Sequence, residues 1–453
     1  MSTIKVNTIT KRTGSTLTLG ESGTTVTLAC GATQSGFGRT GTVDWCTTAK
    51  TSPFTAVSGN GYFVNTTSGV VTVTLPASPS AGDIVSIADY TNTFQTNQVT
   101  LAPNGSKIGG ITANASLSTE GQSATFVYVD GTEGWKNVQD STSNVVGESF
   151  IVASGGTETT CGNFKIHTFN ANGCFAVSSI SSVPANNEVS YIVVGGGGGA
   201  GSSSGNSGGG GGAGGFRESK SGIDTYTASP LEGATNITVT ATTFPITVGA
   251  GGAGSPGSET PGTVGSNSIF STVTSAGGGF GGGPAGSPVN GGAGGSGGGG
   301  AGGAFNRPGG SGNTPPVTPP QGNNGGSSPP GPTGDQHGGG GGGASAVGQT
   351  ASTPSGGGNG GDGVATSITG SSVTRSGGGG GGWYQPTAPS GSGGTGGAGG
   401  GGTAGTPAAP NANSAGQNGT ANTGGGGGAP NSSNSFAGGT GGSGVVIIRY
   451  KFQ

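Results

Sequence analysis

The sequence predicts an all-β protein with essentially no α-helix. It reads as a β-sandwich-like module followed by a β-framework into which a bundle of glycine-rich, polyproline-II-type helices is inserted. Three observations predict this. Residues 195–444 hold 90 of the 112 glycines, and only 10 of those 250 residues are charged. This stretch opens directly out of the strand-like run Val189–Val194 and closes directly into another, Val445–Tyr450, which implies an insertion between two ends that meet. Residues 40–140 set short apolar runs between turn signals at a spacing of about 10 to 20 residues, as in a small sandwich.

The first residues alternate. Ile4 and Val6, then Leu17 and Leu19, imply two short strands around Arg12–Gly14. A piece of this size does not fold alone. It is either a first hairpin of the next domain or a segment that pairs with another surface. The segment is taken as 1–29.

A β-rich module follows over 30–142. Its strand candidates are Tyr62–Val64, Val70–Leu75, Asp83–Ile87, Gln98–Leu101, Ser123–Val129 and Trp135–Val138. The turn signals are Pro76–Gly82, Pro103–Gly105, Glu120–Gly121 and Asp130–Gly131. Trp135 reads as core. Asp140–Gly147 is polar and reads as a hinge.

The last domain spans 148–453. Its framework, 148–194 and 445–453, contains the strand candidates Phe150–Ala153, Asn163–Phe169, Gly173–Val177 and Glu188–Val194, with Val445–Phe452 returning among them. Thr238–Thr240 and Phe244–Val248 look like a further hairpin. His167 would share a strand face with Phe169, opposite Phe164 and Ile166, and is read as structural.

The insert 195–444 has the composition of a disordered segment. Three features argue against that. The glycines come in blocks, among them Gly195–Gly199, Gly291–Gly303 and Gly391–Gly402. Ala and Ser are the only interruptions inside many blocks. Between blocks the chain is decorated, as at Phe216–Glu218, Phe305–Pro308, Asp335–His337, Trp383–Tyr384 and Asn431–Phe436. A block without side chains can form a polyproline-II helix with three residues per turn and about 3.1 Å rise, so roughly 15–40 Å long here. Such helices have no internal hydrogen bonds and must bond neighbours. A bundle of them would project the intervening loops at its two ends.

Tyr191–Gly199, Gly208–Glu218, Pro245–Gly252, Gly265–Ile269 and Gly441–Tyr450 together resemble the glycine-rich domain of bacteriophage tail fibres and adhesins. The resemblance covers about 148–453. It implies a β-framework, a polyglycine-II helical bundle and a receptor-binding role for the loops. The order Thr72–Ala77, Ala81–Asp83, Thr100–Ile108, Tyr128–Trp135 is similar to a small β-module recurring in phage tail fibres, where it often trimerises. Residues 1–20 resemble the N-terminal attachment peptide of such fibres, with Ile4, Val6, Ile9, Leu17 and Leu19 as the attachment residues. What the resemblance implies is a homotrimer in the virion, made in the host cytoplasm. Its partners would be a tail adaptor or nozzle-type protein and a host polysaccharide or outer-membrane protein.

Charge and composition exclude other classes. The net charge of −3 gives no basic field for nucleic acid. No apolar run approaches the 18 or so residues of a membrane helix, and the first 30 residues show no signal-peptide pattern. The cysteines Cys30, Cys46, Cys161 and Cys174 lack metal-type spacing and there are two histidines, so no metal or other cofactor is expected. They read as buried free thiols, with a Cys161–Cys174 bridge as the alternative.

No catalytic residues are assigned. The acids Glu218, Asp224, Glu232, Glu259, Asp335 and Asp362 are not paired by any local spacing, as a glycosidase needs. Asp335-Gln-His337 mimics a metal or acid–base site without a third partner. The blocks lack the Lys-Ser/Thr ending of a phosphate loop. The receptor-binding candidates are Trp383, Tyr384, Phe305, Arg307, Phe436, Asp335 and His337. Aromatic faces here would pack on sugar rings or apolar receptor surface, or else plug the framework. Two alternatives are a capsid-decorating fibre and a polyglycine-II ice- or surface-binding protein.

Overall fold

The computed structural model describes residues 43–141, 149–202, 207–257, 260–283, 290–330, 336–352, 356–384, 391–405, 414–431 and 436–453. The residues named for tail attachment, Cys30 and Asp335 lie outside this set. The chain divides into two compact units, 1–146 and 147–453. The described residues are all-β apart from one 3-10 turn at Pro184–Asn187.

The first unit packs two sheets face to face. One contains Asp44–Lys50, Asn60–Val64, Ile84–Asp89, Ser123–Tyr128 and Trp135–Ser141. The other contains Phe54–Thr55, Val71–Thr74, Val99–Ala102 and Ala115–Leu117. The first six strands alternate between the sheets. Each of the first connections carries the chain across to the opposite sheet, so the first three strands within each sheet run parallel. The alternating residues Tyr62 and Val64, Val71 and Val73, Val85 and Ile87, Val99 and Leu101 fill the space between the sheets. Trp135 is fully buried there and donates its indole N–H to Ser106 Oγ at 3.1 Å. Asp44–Lys50, Phe54–Thr55 and Ala115–Leu117 are strands without a sequence signal. They are short or lie at sheet edges, where the apolar alternation is weak.

In the second unit the strand Glu188–Val194 pairs antiparallel with Val445–Lys451, placing Val194 opposite Val445 and Ile192 opposite Ile447. The 250 intervening residues therefore leave and re-enter one ladder at adjacent positions. Both strands are buried on both faces, which is why they read as continuous apolar runs. Val189, Tyr191, Val193, Val446, Ile448 and Tyr450 face the sheet formed by Val152–Ser154, Gly173–Ser179, Thr243–Thr247, Ser268–Phe270 and Val273–Ser275. Ile192, Val194, Val445 and Ile447 face the opposite side, against Tyr226, Val364 and Ile368.

Two expectations are corrected. Thr238–Thr240 and Phe244–Val248 do not form a hairpin. Ile237–Thr238 pairs with Glu188–Val194, whereas Thr243–Thr247 pairs with Gly173–Ser179 and Ser268–Phe270. A bond from Thr242 N to Thr240 O turns the chain between the two sheets. Phe216–Glu218 is not a decorated loop. It begins the buried edge strand Phe216–Ser219 on Tyr191–Val194.

Beyond the sheet, the glycine runs form a hydrogen-bonded lattice with a period of three. Along 195–202, Gly195, Gly198 and Gly201 donate to the carbonyls of Gly215, Gly212 and Gly209. Gly196, Gly199 and Ser202 donate to Ser266, Thr263 and Thr260, and Gly197 and Ala200 donate to Gly442 and Gly439. All these N···O distances lie between 2.8 and 3.1 Å. The same run accepts from Gly278 and Gly281, from Gly252 and Ser255, and from Gly427. Six neighbours thus surround one run, three accepting from its amides and three donating amides to its carbonyls. A helix with three residues per turn points its amides in three directions, which produces this pattern. The run is about 25 Å long at 3.1 Å per residue.

The lattice spacing leaves no room for side chains inside. A Cβ at Gly198 would fall within contact distance of the Gly279 carbonyl oxygen, one at Gly197 against Gly425 and one at Gly196 against Ala250. Ala200 and Ala213 are fully buried at positions where a methyl group does fit.

His167 is buried between Phe175 and Tyr450, with Nδ1 2.7 Å from Gly155 O and Nε2 3.1 Å from the Tyr450 hydroxyl. It has the structural role expected. Burial lowers its pKa below the ordinary value of 6.5.

Two outcomes are expected. Gly198→Ala should lower the melting temperature of the second unit sharply, by the 1–3 kcal/mol or more of an overpacked core. Gly222→Ala, which meets nothing within 4 Å, should be neutral. Equal effects in thermal melts would contradict the close-packed lattice. For His167 the folded state binds fewer protons than the unfolded state below pH 6.5, so stability is full above that pH and falls as pH drops through it. Denaturant titrations between pH 7.5 and 5 should show this loss, and His167→Gln should flatten it.

Candidate functional site

The lattice has a base at the sheet and a distal end. Chain reversals at the base are fully described. The hairpin of Val364–Thr366 and Val373–Arg375 is one. The loop 313–321 is another, held by Asn313 Oδ1, which accepts from Val317 N and Gln321 N, and by Gln321 Nε2, which donates to Pro315 O.

The base carries a buried polar network that local sequence did not reveal. Arg449 Nε donates to both carboxylate oxygens of Asp224 at 2.9 and 3.0 Å, and Asp224 also accepts from Ser190 Oγ. The guanidinium lies over Phe164 and Tyr226. Glu218 accepts from the Tyr226 hydroxyl at 3.0 Å, from Ser229 N at 2.8 Å and from Thr366 Oγ1. Desolvation, then the neighbouring Glu218 carboxylate, pushes the Tyr226 pKa far up, and desolvation lowers that of Arg375. These acids are consumed by structural partners that tie base turns to the sheet. One signal was available: Arg449 interrupts an otherwise apolar run, and a buried cation requires a counter-charge.

The described receptor-binding candidates, all but Asp335, fall at the distal end, but not as a set of loop side chains. His337 and Trp383 pair across a two-stranded ladder, with Gln336 opposite Tyr384. Their rings are nearly parallel, 7° apart in plane with centroids at 6.4 Å. Trp383 is 5% exposed and His337 2%. Both belong to the last packed layer of the lattice, so the expected loop position of these two is corrected. Tyr384 is half-buried beside them.

Arg307 lies one run away. It is half-buried, pairs through its backbone with Ser328 and donates from Nη1 to Gly302 O at 2.6 Å. Phe305 is 75% exposed. Phe436 is half-buried and borders another part of the end, where Gly438 N donates to Ser255 O. Nearby, Ser202 Oγ meets Ser255 Oγ at 2.6 Å, and Ser255 Oγ meets Thr260 Oγ1 at 2.7 Å.

The three described cysteines are free: Cys46 and Cys161 are half-buried, but Cys174 is exposed rather than buried. Cys161 and Cys174 lie on different sheets and do not bridge. Among the described residues no group of three or more His, Cys, Asp or Glu side chains could hold a metal ion.

Asp224→Ala would leave Arg449 buried and unpaired, which typically costs 3–5 kcal/mol. Chemical denaturation of the second unit should show a loss on that scale. A loss below about 1 kcal/mol would remove this pair from the account of how the base is held.

No curated protein matches the chain. Its opening strand, period-three lattice and closing strand lie within residues 170–451, which match the family described as Glycine-rich domain. That match covers well over half of the 453 residues, and the chain belongs to this glycine-rich domain family.

Proposed function

We propose that this chain is a structural, non-enzymatic tail-fibre subunit of a tailed bacteriophage. It would bind the host cell surface through the distal end of its glycine lattice. The observation that carries the proposal is the asymmetry of the lattice. One end is fused to a two-sheet framework and a buried ion network. The other, among the described residues, ends in mutually bonded glycine runs that carry the exposed Phe305 and the half-buried Tyr384. Binding residues concentrate on loops held by a rigid scaffold. Large aromatic side chains supply contact area at low entropy cost.

The resemblance of Tyr191–Gly199, Gly208–Glu218 and Gly441–Tyr450 to tail-fibre glycine-rich domains supports the placement in a virion. In this reading residues 1–29 engage a tail adaptor, and the first unit assembles the chain as a homotrimer. The distal end meets a host polysaccharide or outer-membrane protein, and the fibre is made in the host cytoplasm. No nucleic acid, cofactor or metal takes part.

Adsorption of the fluorescently labelled chain to a panel of bacterial strains tests the proposal. At least one strain should bind it saturably. Phe305→Ala combined with Tyr384→Ala should weaken that binding about tenfold. Val347→Ala, which alters an exposed side chain elsewhere on the lattice, should leave it unchanged. Binding to no strain, or equal binding by all variants, would overturn the reading.

A further inference from the structure

We infer that the first unit carries a carbohydrate-binding face of its own, built on an exposed aromatic row of Trp45, Phe63 and Tyr90. It uses none of the lattice residues and does not rest on the host-surface reading.

The row follows from strand alternation. Tyr62, Val64, Val85 and Ile87 point into the space between the two sheets, so Gly61, Phe63, Ser86 and Ala88 point outward from the same strands. Trp45 pairs with Gly61, and Phe63 with Ala88. Tyr90 follows Ala88 by two residues and donates its backbone N–H to Val64 O at 3.0 Å. Ring centroids are 4.9 Å apart from Trp45 to Phe63 and 6.3 Å apart from Phe63 to Tyr90. The indole lies over Gly61, where a Cβ would fall 2.7 Å from Cδ2 and 2.8 Å from Cε3. Only glycine lets the ring rest on the sheet backbone. Trp45 is still 42% exposed and Tyr90 is 55% exposed, with the half-buried Phe63 between them.

A cluster of neutral polar groups continues the row. Asn65 comes two residues after Phe63, and Thr91 is next to Tyr90. Asn65 Oδ1 accepts from Thr67 N at 2.9 Å, from Thr67 Oγ1 at 2.6 Å and from Thr91 Oγ1 at 3.3 Å. Thr91 Oγ1 also lies 2.9 Å from Thr93 Oγ1. The backbone donor at Thr67 settles which end of the amide is oxygen, and no described residue accepts from Asn65 Nδ2. Thr67 and Thr91 are exposed. The end of the row thus offers amide N–H donors and hydroxyl oxygens to a ligand.

Single exposed apolar side chains are ordinary, but a contiguous exposed patch marks an interaction site. Its size decides between occupants. Taking about 150–250 Å² for a whole aromatic side chain, the exposed parts of the three rings sum to roughly 250 Å². A stable protein interface takes about 800 Å² from each partner. The apolar surface does not continue across the sheet, where Ser123 pairs with Ala88 and Ser86 Oγ meets Thr125 Oγ1 at 2.7 Å. A second copy of the chain would find too little here to bury. A sugar fits this scale and needs both features. Its C–H face packs on the rings, and its hydroxyls pair with the amide and hydroxyl groups beside them.

The full chain labelled with 5-fluorotryptophan gives three fluorine signals, from Trp45, Trp135 and Trp383, and Trp45→Phe identifies the first. The probes are oligosaccharides from dextran, mannan, galactan and chitin. The Trp45 signal should shift saturably with at least one of them while that of the buried Trp135 stays fixed. Tyr90→Ala should weaken this binding about tenfold and Asn65→Ala about fivefold. Val138→Ala, which alters an exposed side chain on another strand of the sheet, should leave it unchanged. Phe305→Ala combined with Tyr384→Ala should also leave the Trp45 response intact, whatever it does to cell adsorption. A Trp45 signal unmoved by every probe overturns the inference, as does binding that survives both Tyr90→Ala and Asn65→Ala. A Trp45 signal that moves on dilution of the protein and not with sugar makes the row a contact between copies, and overturns it too.

Discussion

Every glycine run in this protein faces the same constraint. Its backbone N–H and C=O groups must be bonded, and it has no side chains with which to bury anything. A helix of three residues per turn satisfies its amides only through other chains at close range. Gly195–Ser202 meets this by donating to three neighbours and accepting from three more. The close approach that allows those bonds also excludes a Cβ at Gly196, Gly197 and Gly198. Composition and architecture are therefore one fact. Glycine loses much entropy on ordering, and the compensation is a hydrogen bond at nearly every residue, with the small buried methyl groups of Ala200 and Ala213 filling the gaps.

Such a lattice needs an anchor that fixes where its first and last runs begin. The ladder between Glu188–Val194 and Val445–Lys451 provides it, since the insert starts and stops at paired residues. Both faces of those strands are covered, one by the second sheet and the other by the base turns. The base is then cross-linked by Asp224 with Arg449 and by Glu218 with Tyr226 and Thr366. In a region with few charges these buried groups are concentrated where the lattice meets the sheet. Their effect is to fix base turns from distant parts of the chain against one strand pair.

The two ends of the lattice consequently differ in chemistry. The base is apolar and carries the buried ionic groups Asp224, Arg449 and Glu218, which are bonded to the framework. Among the described residues the distal end carries aromatic rings, polar side chains and one cation, Arg307, with His337 against Trp383 as its packed layer and Phe305 exposed. A rigid body with one fixed end and one chemically varied end is suited to presenting a surface. That physical asymmetry, rather than any motif of catalysis, supports an adhesive reading of the chain.

By itself the sequence determined the all-β class, the two apolar strands that bracket the glycine-rich insert, the meeting of their ends, and the period-three helices. Each of these depends on a local property: alternation, a continuous apolar run, or a block without Cβ atoms. The core position of Trp135 and the structural role of His167 were legible for the same reason. The tertiary structure alone decided which run neighbours which, because glycine blocks are nearly identical in sequence and carry no address. It also decided that Phe216–Ser219 is a strand and that Ile237–Thr238 and Thr243–Thr247 go to different sheets, since both depend on which edge is open. The burial of Trp383 and the pairing of Asp224 with Arg449 were likewise invisible. They join residues separated by tens to hundreds of positions, and local spacing holds no record of such contacts.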